Sequence, residues 1–272
     1  METYLCQACG TQFGESAEPP SACPICEDER QFVPPTGQAW LPYADLAREN
    51  RIAWLDETPS IASLTIAPKF AIGQRALFVR TGSANILWDC VSLVDDATVE
   101  RIGQSGGLDA IAISHPHYYS CMVEWSKAFG GVPIYLHAED SQWIQRPNPA
   151  IRLWSGDRMD LSDDAALIRC GGHFPGGAVL HWPGGADGRG VLFTGDIVQV
   201  MPGLDHVGFM YSFPNYIPLH PDAVKGIRAA LADLSCDAIY GAFLGRTIQA
   251  GGRTAIERSI ERYLRMVGAP LE

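Results

Sequence analysis

Short apolar segments separated by glycine and proline follow one another along the chain after Trp40. The segments RALFVR and NILWDC flank TGSA, and two apolar runs around a glycine-containing turn predict a β-hairpin. LDAIAIS is a continuous apolar run, which is typical of a buried strand. The same reasoning predicts further short strands in VPIYLH, AALIRC, AVLHW and GVLFTG.

Segments with helical patterns lie between and after these strands. DDATVERIGQ begins with acidic residues, which favour the positive end of a helix. SCMVEWSKAFG predicts a helix that ends at Gly130 and Gly131, and HPDAVKGIRAALADL and GRTAIERSIERYLRMV predict amphipathic helices. Hairpins followed by strand–helix alternation predict two mixed sheets packed together, with helices outside. Because no G-x-G-x-x-G follows the first strand, an open dinucleotide-binding sheet is disfavoured.

Composition and charge narrow the class of protein. The length of 272 residues suits one large domain, or one domain with a small module, and the apolar fraction of 47% provides for a substantial core. The net charge of −11 argues against a nucleic-acid partner. No membrane-spanning run or signal peptide is visible. We therefore expect a cytoplasmic protein with a small-molecule substrate and no membrane partner, and the oligomeric state stays open.

Four of the eight cysteines lie near the N-terminus, as the pairs Cys6 with Cys9 and Cys23 with Cys26. Two C-x-x-C pairs with a short spacer predict one site in which four thiolates surround a metal ion. A chain without an export signal is expected to use cysteines for metal binding or to bury them, rather than to pair them. Four thiolates suit both zinc and iron.

The whole N-terminal pattern, YLCQACGTQFGESAEPPSACPICEDERQFV, resembles the rubredoxin-like tail of rubrerythrins, including Gly10, Pro24 and Phe32. This resemblance implies iron and electron transfer, whereas a structural zinc ribbon is the alternative that we expect. So small a segment depends on its metal to fold. PPTGQ then has the composition of a linker. The predicted domains are a ribbon over residues 1–35 and a main domain over residues 36–272.

Polar groups stand at the ends of several predicted strands of the main domain. His115 and His117 follow LDAIAIS, His173 lies in a glycine-rich loop after AALIRC, and Asp196 follows GVLFTG. Loops at strand ends can converge on one place while the strands hold them rigidly. Three imidazoles and one carboxylate suit Zn²⁺ or non-haem iron. The sequence therefore predicts a second metal site here.

Residues 50–265 resemble the metallo-β-lactamase superfamily. NILWDC is similar to its early strand with an aspartate, here Asp89, and SHPHYYS stands where the family has H-x-H-x-D-H. GGHFPGG resembles the third-histidine loop, and FTGD resembles the motif of the bridging aspartate. The resemblance implies an α/β (α+β) fold, the αββα sandwich of two mixed sheets flanked by helices. It also implies that His115, His117, His173 and Asp196 form the first metal subsite.

The second metal subsite of that family is missing from this sequence. Tyr119 and Ser120 replace the Asp and His of the motif, and DAIYGAFLGRT has no histidine where the family has its last ligand. We therefore predict one zinc or iron ion with an open coordination position. Asp89 is expected to orient a ligand histidine or a loop amide.

The favoured function is a metal-dependent hydrolase that uses one metal-bound hydroxide to cleave an ester, thioester or amide-type bond. Asp196 would be a ligand and proton acceptor, and the Tyr119 phenol would donate to the developing oxyanion. One alternative is a mononuclear non-haem iron oxidoreductase of the same fold with the ribbon as its electron-transfer module. Another is a non-catalytic metal-binding scaffold.

Several other residues are weaker candidates. His137 ends a predicted strand near the site, and His220 could replace the missing late histidine, but both are expected to be ordinary loop residues. Cys121, which adjoins the motif, is a candidate soft ligand. The aromatic-rich residues 201–218 would suit a pocket wall, with a loop packed on the core as the alternative. Arg246 would suit a substrate carboxylate or phosphate, with a surface ion pair as its default role.

Overall fold

The computed structural model describes residues 1–271. Within these residues the strands are β1 (Tyr4–Cys6), β2 (Trp40–Pro42), β3 (Arg51–Thr58), β4 (Ile61–Ala67), β5 (Ala76–Arg80), β6 (Asn85–Trp88), β7 (Ala110–Ala112), β8 (Ile134–His137), β9 (Ile151–Trp154), β10 (Arg158–Ser162), β11 (Ala165–Arg169), β12 (Ala178–Trp182), β13 (Val191–Gly195), β14 (Gln199–Val200), β15 (Val207–Gly208), β16 (Met210–Ser212), β17 (Ile217–Pro218), β18 (Ala238–Gly241) and β19 (Thr247–Ile248). The helices in the same range are α1 (Pro24–Glu27), α2 (Tyr43–Glu49), α3 (Asp96–Gln104), α4 (Met122–Ala128), α5 (Gly185–Gly188), α6 (Pro221–Leu231) and α7 (Gly252–Met266).

The first large sheet has the order β3-β4-β5-β6-β7-β8-β9. Its β5–β6 hairpin, with Leu77 opposite Trp88, is the one that the sequence predicts. From β6 to β9 the strands run parallel. Helix α3 begins as expected from its acidic first turn, since the Asp95 carboxylate caps it by accepting from the Thr98 amide at 2.8 Å.

The second large sheet has the order β10-β11-β12-β13-β18-β19. Strands β10 to β13 are antiparallel neighbours, and β13 and β18 are parallel. The predicted strands AALIRC, AVLHW and GVLFTG correspond to β11, β12 and β13. Because β7 and β13 belong to different sheets, the His115 loop and Asp196 come from opposite layers of the molecule.

Three apolar layers join these elements. Between the sheets, Trp88 of β6 packs in one cluster with Phe193 of β13 and Tyr240 of β18. On the outer face of the first sheet a cluster includes α3 and α4, and on the outer face of the second sheet another includes α6 and α7. The order of layers is therefore helix, sheet, sheet, helix, which confirms the predicted αββα sandwich. No helix within residues 1–271 is both long enough and apolar enough to cross a membrane.

The N-terminal cysteines form a small separate core that packs on this sandwich. Strand β1 pairs with β2, so residues beyond the PPTGQ segment also contribute to the module. Gly10 has a φ of +84°, and a Cβ there would lie 2.4 Å from the Ser92 Oγ of the main domain. That oxygen donates to the Gly10 carbonyl at 2.7 Å, so the turn after the first cysteine pair needs glycine for both reasons. The boundary between residues 35 and 36 stays a prediction.

Candidate metal centres

Three loops bring the predicted ligands of the main domain together. His115, His117, His173 and Asp196 each offer a ligand atom, and these atoms all lie within 4.8 Å of one another. We call these residues the histidine–aspartate cluster. Their exposed fractions are between 1% and 5%, so protein surrounds the cluster.

Distances within the histidine–aspartate cluster suit a small cation. His173 Nε2 lies 3.4 Å from His117 Nδ1, and His115 Nε2 lies 3.8 Å from Asp196 Oδ2. Nitrogen ligands about 2.0–2.1 Å from a tetrahedral zinc ion stand roughly 3.3 Å apart. Within residues 1–271, the buried atoms His115 Nε2, His117 Nε2 and Asp196 Oδ1 have no hydrogen-bond partner. Buried polar atoms without partners are costly. A cation bound by one atom of each side chain would satisfy part of this set, His115 Nε2 for example.

Burial sets the protonation of the histidine–aspartate cluster. It lowers the pKa of His173 to about 4 and the pKa values of His115 and His117 well below the ordinary range. The imidazoles are therefore neutral, as metal ligands must be. Burial also raises the pKa of Asp196 to about 7. A nearby cation would oppose that rise, because it favours the ionised carboxylate.

Hydrogen bonds orient two of the ligand histidines. His115 Nδ1 lies 2.9 Å from Ser114 Oγ, which donates to Asp89 Oδ1 at 2.8 Å. The same carboxylate oxygen accepts from the Ser114 amide at 2.7 Å, and Asp89 itself has a φ of +60°. His173 Nδ1 lies 3.1 Å from the Met210 carbonyl, so this nitrogen carries the proton and Nε2 presents its lone pair. A role for Asp89 in orienting a ligand histidine or a loop amide was predicted from the sequence, whereas the part played by Ser114 was not.

Tyr118 occupies the space toward the residues where the metallo-β-lactamase pattern has its last histidine. Its ring centre lies 5.0 Å from that of His115, and its hydroxyl is 3.5 Å from the Ala242 carbonyl. Tyr119, in contrast, donates its hydroxyl to the Asp140 carbonyl at 3.2 Å. The Ser120 hydroxyl accepts from the Gln74 side chain. Tyr118 was not predicted to be a site residue, because it occupies a variable position of the motif.

A buried cation, Arg75, contacts the same loop as Tyr118. Its guanidinium donates to the carbonyls of Gly241 and Arg246 and pairs with Glu57 at 2.9 Å. Burial lowers the Arg75 pKa, and the Glu57 carboxylate opposes that shift. Tyr118 and Arg75 thus both contact the loop after β18 where the family pattern has its last histidine. The expectation of a single ion stays a prediction.

The cysteines of the N-terminal module form the second candidate centre, the cysteine cluster of Cys6, Cys9, Cys23 and Cys26. The Sγ atoms of Cys6 and Cys26 are 3.5 Å apart, and those of Cys9 and Cys23 are 3.7 Å apart. Thiolates about 2.3 Å from a tetrahedral ion stand roughly 3.8 Å apart, so the spacing fits. Gln38 Nε2 donates to Cys6 Sγ at 3.0 Å, which would stabilise a thiolate.

Comparisons with known proteins identify a relative of the chain and structures with the same fold. No family model matches it. Uncharacterized protein YmaE of Bacillus subtilis (strain 168) is 41% identical over 273 residues, which cover 100% of this chain and 99% of that protein. The chain belongs to the YmaE family. Because the match spans both proteins, it includes the cysteine module as well as the sandwich of this YmaE-family chain.

Solved structures share the fold over about four fifths of this chain. The metallo-β-lactamase FIM-1 from Pseudomonas aeruginosa, in its mono-zinc form, aligns with a TM-score of 0.56 at 16% identity, over 81% of this chain and 98% of that one. The metallo-β-lactamase DIM-1 aligns with a TM-score of 0.59 at 13% identity, over 80% and 100%. This YmaE-family chain therefore has the metallo-β-lactamase fold.

Phe174 connects the two candidate centres of the YmaE-family chain. Its ring centre lies 5.0–5.4 Å from those of His115, His117 and His173. On its other side it lies 5.9 Å from the ring of Trp143, which packs against the cysteine cluster. Two aromatic side chains thus join the surroundings of both clusters, and neither was singled out from the sequence.

The remaining candidates from the sequence lie outside both clusters. His137 bonds to the Gly156 carbonyl, and His220 caps α6 by accepting from the Asp222 amide. Cys121 is buried and donates to the Val91 carbonyl at 3.1 Å, so the structure does not support it as a ligand. Part of residues 201–218 does line a cavity, of about 550 Å³, together with Arg246. Phe213 of that cavity lies 5.8 Å from the His173 ring.

Proposed function

We propose that this protein is a metal-dependent hydrolase that acts on an ester, thioester or amide-type bond of a small molecule. The observation that carries the proposal is the convergence of four buried side chains whose ligand atoms lie within 4.8 Å of one another. One atom on each of three of these side chains, His115, His117 and Asp196, has no hydrogen-bond partner within residues 1–271. A zinc ion bound there would supply activated water at neutral pH and a Lewis acid for the carbonyl. Zinc is the proposed metal at both clusters, with iron as the alternative.

The protein groups have separate tasks in this proposal. Asp196 holds the ion, and its unpartnered Oδ1 is the atom at which a proton can be accepted. Asp89 positions His115 through Ser114, so it acts on the ligand rather than on the substrate. Tyr119 is the proposed donor to the oxyanion. For this task its hydroxyl must break its hydrogen bond to the Asp140 carbonyl and donate to the substrate oxygen instead.

The surroundings of the cluster favour a small, partly apolar substrate. Met201, Phe213 and Phe243 form the apolar part of a cavity wall that also includes Gln199 and Arg246, and the Phe213 ring lies 5.8 Å from that of His173. A net charge of −11 supports neither a nucleic-acid partner nor an anionic membrane surface. We propose a cytoplasmic location, because the cysteines of the described residues are buried and unpaired, as is usual in a reducing compartment.

A turnover screen over thioesters, lactones and phosphoesters, run with metal analysis on the same protein, tests the proposal. We expect hydrolysis by the metal-loaded chain and its loss in His173→Ala. His206→Ala is the matched control, because His206 pairs with the neighbouring Asp205 and is not part of the cluster. A folded, zinc-loaded protein that hydrolyses none of these bonds would favour the non-catalytic scaffold.

An iron oxidoreductase is the second candidate, and the aromatic contact between the centres favours it. Trp143 and Phe174 form a short packed connection from the cysteine cluster to the ligand histidines. Such a connection would suit electron transfer if both centres held iron. Red protein with iron at both clusters would support this candidate, and colourless protein with zinc at both would exclude it.

A further inference from the structure

Arg30 of the cysteine module lies at the edge of the histidine–aspartate cluster. Its Cζ is 4.4 Å from the centre of the Phe174 ring, the ring that contacts all three ligand histidines. The guanidinium also lies 4.7 Å from the centre of the Tyr211 ring. Two cation–π contacts therefore hold the planar group against the main domain.

The donors of Arg30 are only partly used. Nη1 pairs with both oxygens of Asp28, at 2.8 and 2.9 Å, within the module's own loop. Nε is buried and has no hydrogen-bond partner among residues 1–271. Its side chain is 12% exposed, so water does not readily satisfy this donor. A buried donor without a partner lowers stability unless a ligand accepts from it.

Contacts of the neighbouring backbone hold Arg30 in place. Ser212 Oγ donates to the Arg30 carbonyl at 3.1 Å, and the Asn215 side chain donates to the carbonyls of Glu29 and Gln31. Tyr211 donates its hydroxyl to Glu29 at 2.9 Å. The loop that carries Arg30 is thus fixed to residues 211–215, which also adjoin His173. An ion pair from Arg30 to the main domain is not found in the described chain, where its charge instead lies against the Phe174 and Tyr211 rings.

We propose that Arg30 completes the active site from the cysteine module and binds an oxyanion of the substrate, a carboxylate or a phosphate. The free Nε–H of this guanidinium is suited to such a group, because an N–H donor on a cation forms a charge-assisted hydrogen bond with carboxylate and phosphate oxygens. The substrate of the proposed hydrolase therefore carries an anionic group beside the bond that is cleaved. This inference rests on the proposed function for its substrate, although the anion site itself does not.

Inorganic phosphate, titrated calorimetrically at constant ionic strength into the full chain loaded with zinc, tests the proposal. Arg30→Gln is expected to weaken phosphate binding at least tenfold, and Arg30→Lys, which keeps the charge but not the fork, to weaken it by a smaller factor. Two controls make the same chemical change elsewhere. Arg48→Gln removes an exposed guanidinium on α2, and Arg246→Gln removes the one that lines the cavity.

Phosphate affinity unchanged in both Arg30 variants would overturn the proposal, as would a tenfold loss in Arg246→Gln instead. If Arg30→Gln does not fold, the phosphate affinity of Arg30→Lys is compared with that of the wild type. Lysine retains the charge, so a weaker affinity in this variant would still support the proposal and an equal affinity would overturn it. The same titrations in a His173→Ala background separate this inference from the proposed function. Failure of the main-domain site to bind metal would remove the proposed hydrolase, whereas the effect of Arg30→Gln on phosphate would still be measured.

Discussion

Ser114→Ala tests how the outer hydrogen bonds of the histidine–aspartate cluster control its metal affinity. Ser114 Oγ stands between His115 Nδ1, at 2.9 Å, and Asp89 Oδ1, at 2.8 Å. Alanine removes both contacts and leaves the buried His115 Nδ1 without its partner. Asp89 keeps the bond from the Ser114 amide at 2.7 Å, so the loop retains its backbone anchor.

The size of the effect follows from these contacts. A buried group that loses its partner costs about 1–3 kcal/mol. Removal of an outer partner of a metal-bound histidine typically weakens metal binding by about 10–100-fold, or about 1.4–2.7 kcal/mol. Because one of the two donors to Asp89 remains, we expect the lower half of that range.

Competition against a chromophoric zinc chelator gives the affinity of the main-domain site. Ser126→Ala is the matched control, since Ser126 lies on α4, donates its Oγ to the Val132 carbonyl and does not contact a metal ligand. The expected result is about 10–30-fold weaker zinc binding in Ser114→Ala and no change in Ser126→Ala. Equal affinities in the two variants would refute the orienting role of Ser114.

Two further predictions concern buried charges. Burial raises the pKa of Asp140 to about 6, so its ionisation opposes folding above pH 6 and ceases to do so toward pH 4. Asp140→Asn, which keeps an acceptor for the Gly176 amide, should therefore raise the free energy of unfolding at pH 8 by up to about 3 kcal/mol. Urea unfolding at several pH values should show this gain shrinking as the pH falls, and a constant gain would count against the assignment. Arg75→Met leaves Glu57 unpaired and should lower the free energy of unfolding by about 3–5 kcal/mol in the same assay, whereas a loss below about 1 kcal/mol would show that the pair contributes little.

Strands that are buried on both faces were predictable, whereas an edge strand was not. LDAIAIS and GVLFTG lie inside the sandwich, so nearly every position is apolar and the pattern is continuous. β3 lies at the edge of its sheet and exposes several side chains, so RIAWLDET mixes polar and apolar residues and was not singled out.

Convergence of the ligands was predictable for a similar reason, since each residue lies within a few positions of the end of a strand. The groups around them were not, because their positions depend on packing between distant segments. Arg30 and Phe174 meet although they lie in different modules, and Tyr118 reaches Ala242 across the gap between the two sheets. Hydrogen bonds such as that of Tyr119 to Asp140 likewise have no local sequence signal.

Metal content per chain tests the central claim most directly. Elemental analysis of the full chain should give one ion for the cysteine cluster and one for the histidine–aspartate cluster, two in total. His173→Ala should retain the first ion and lose the second, with unchanged unfolding of the cysteine module. Three ions per chain, or two in a folded His173→Ala variant, would contradict a single metal ion held by His115, His117, His173 and Asp196.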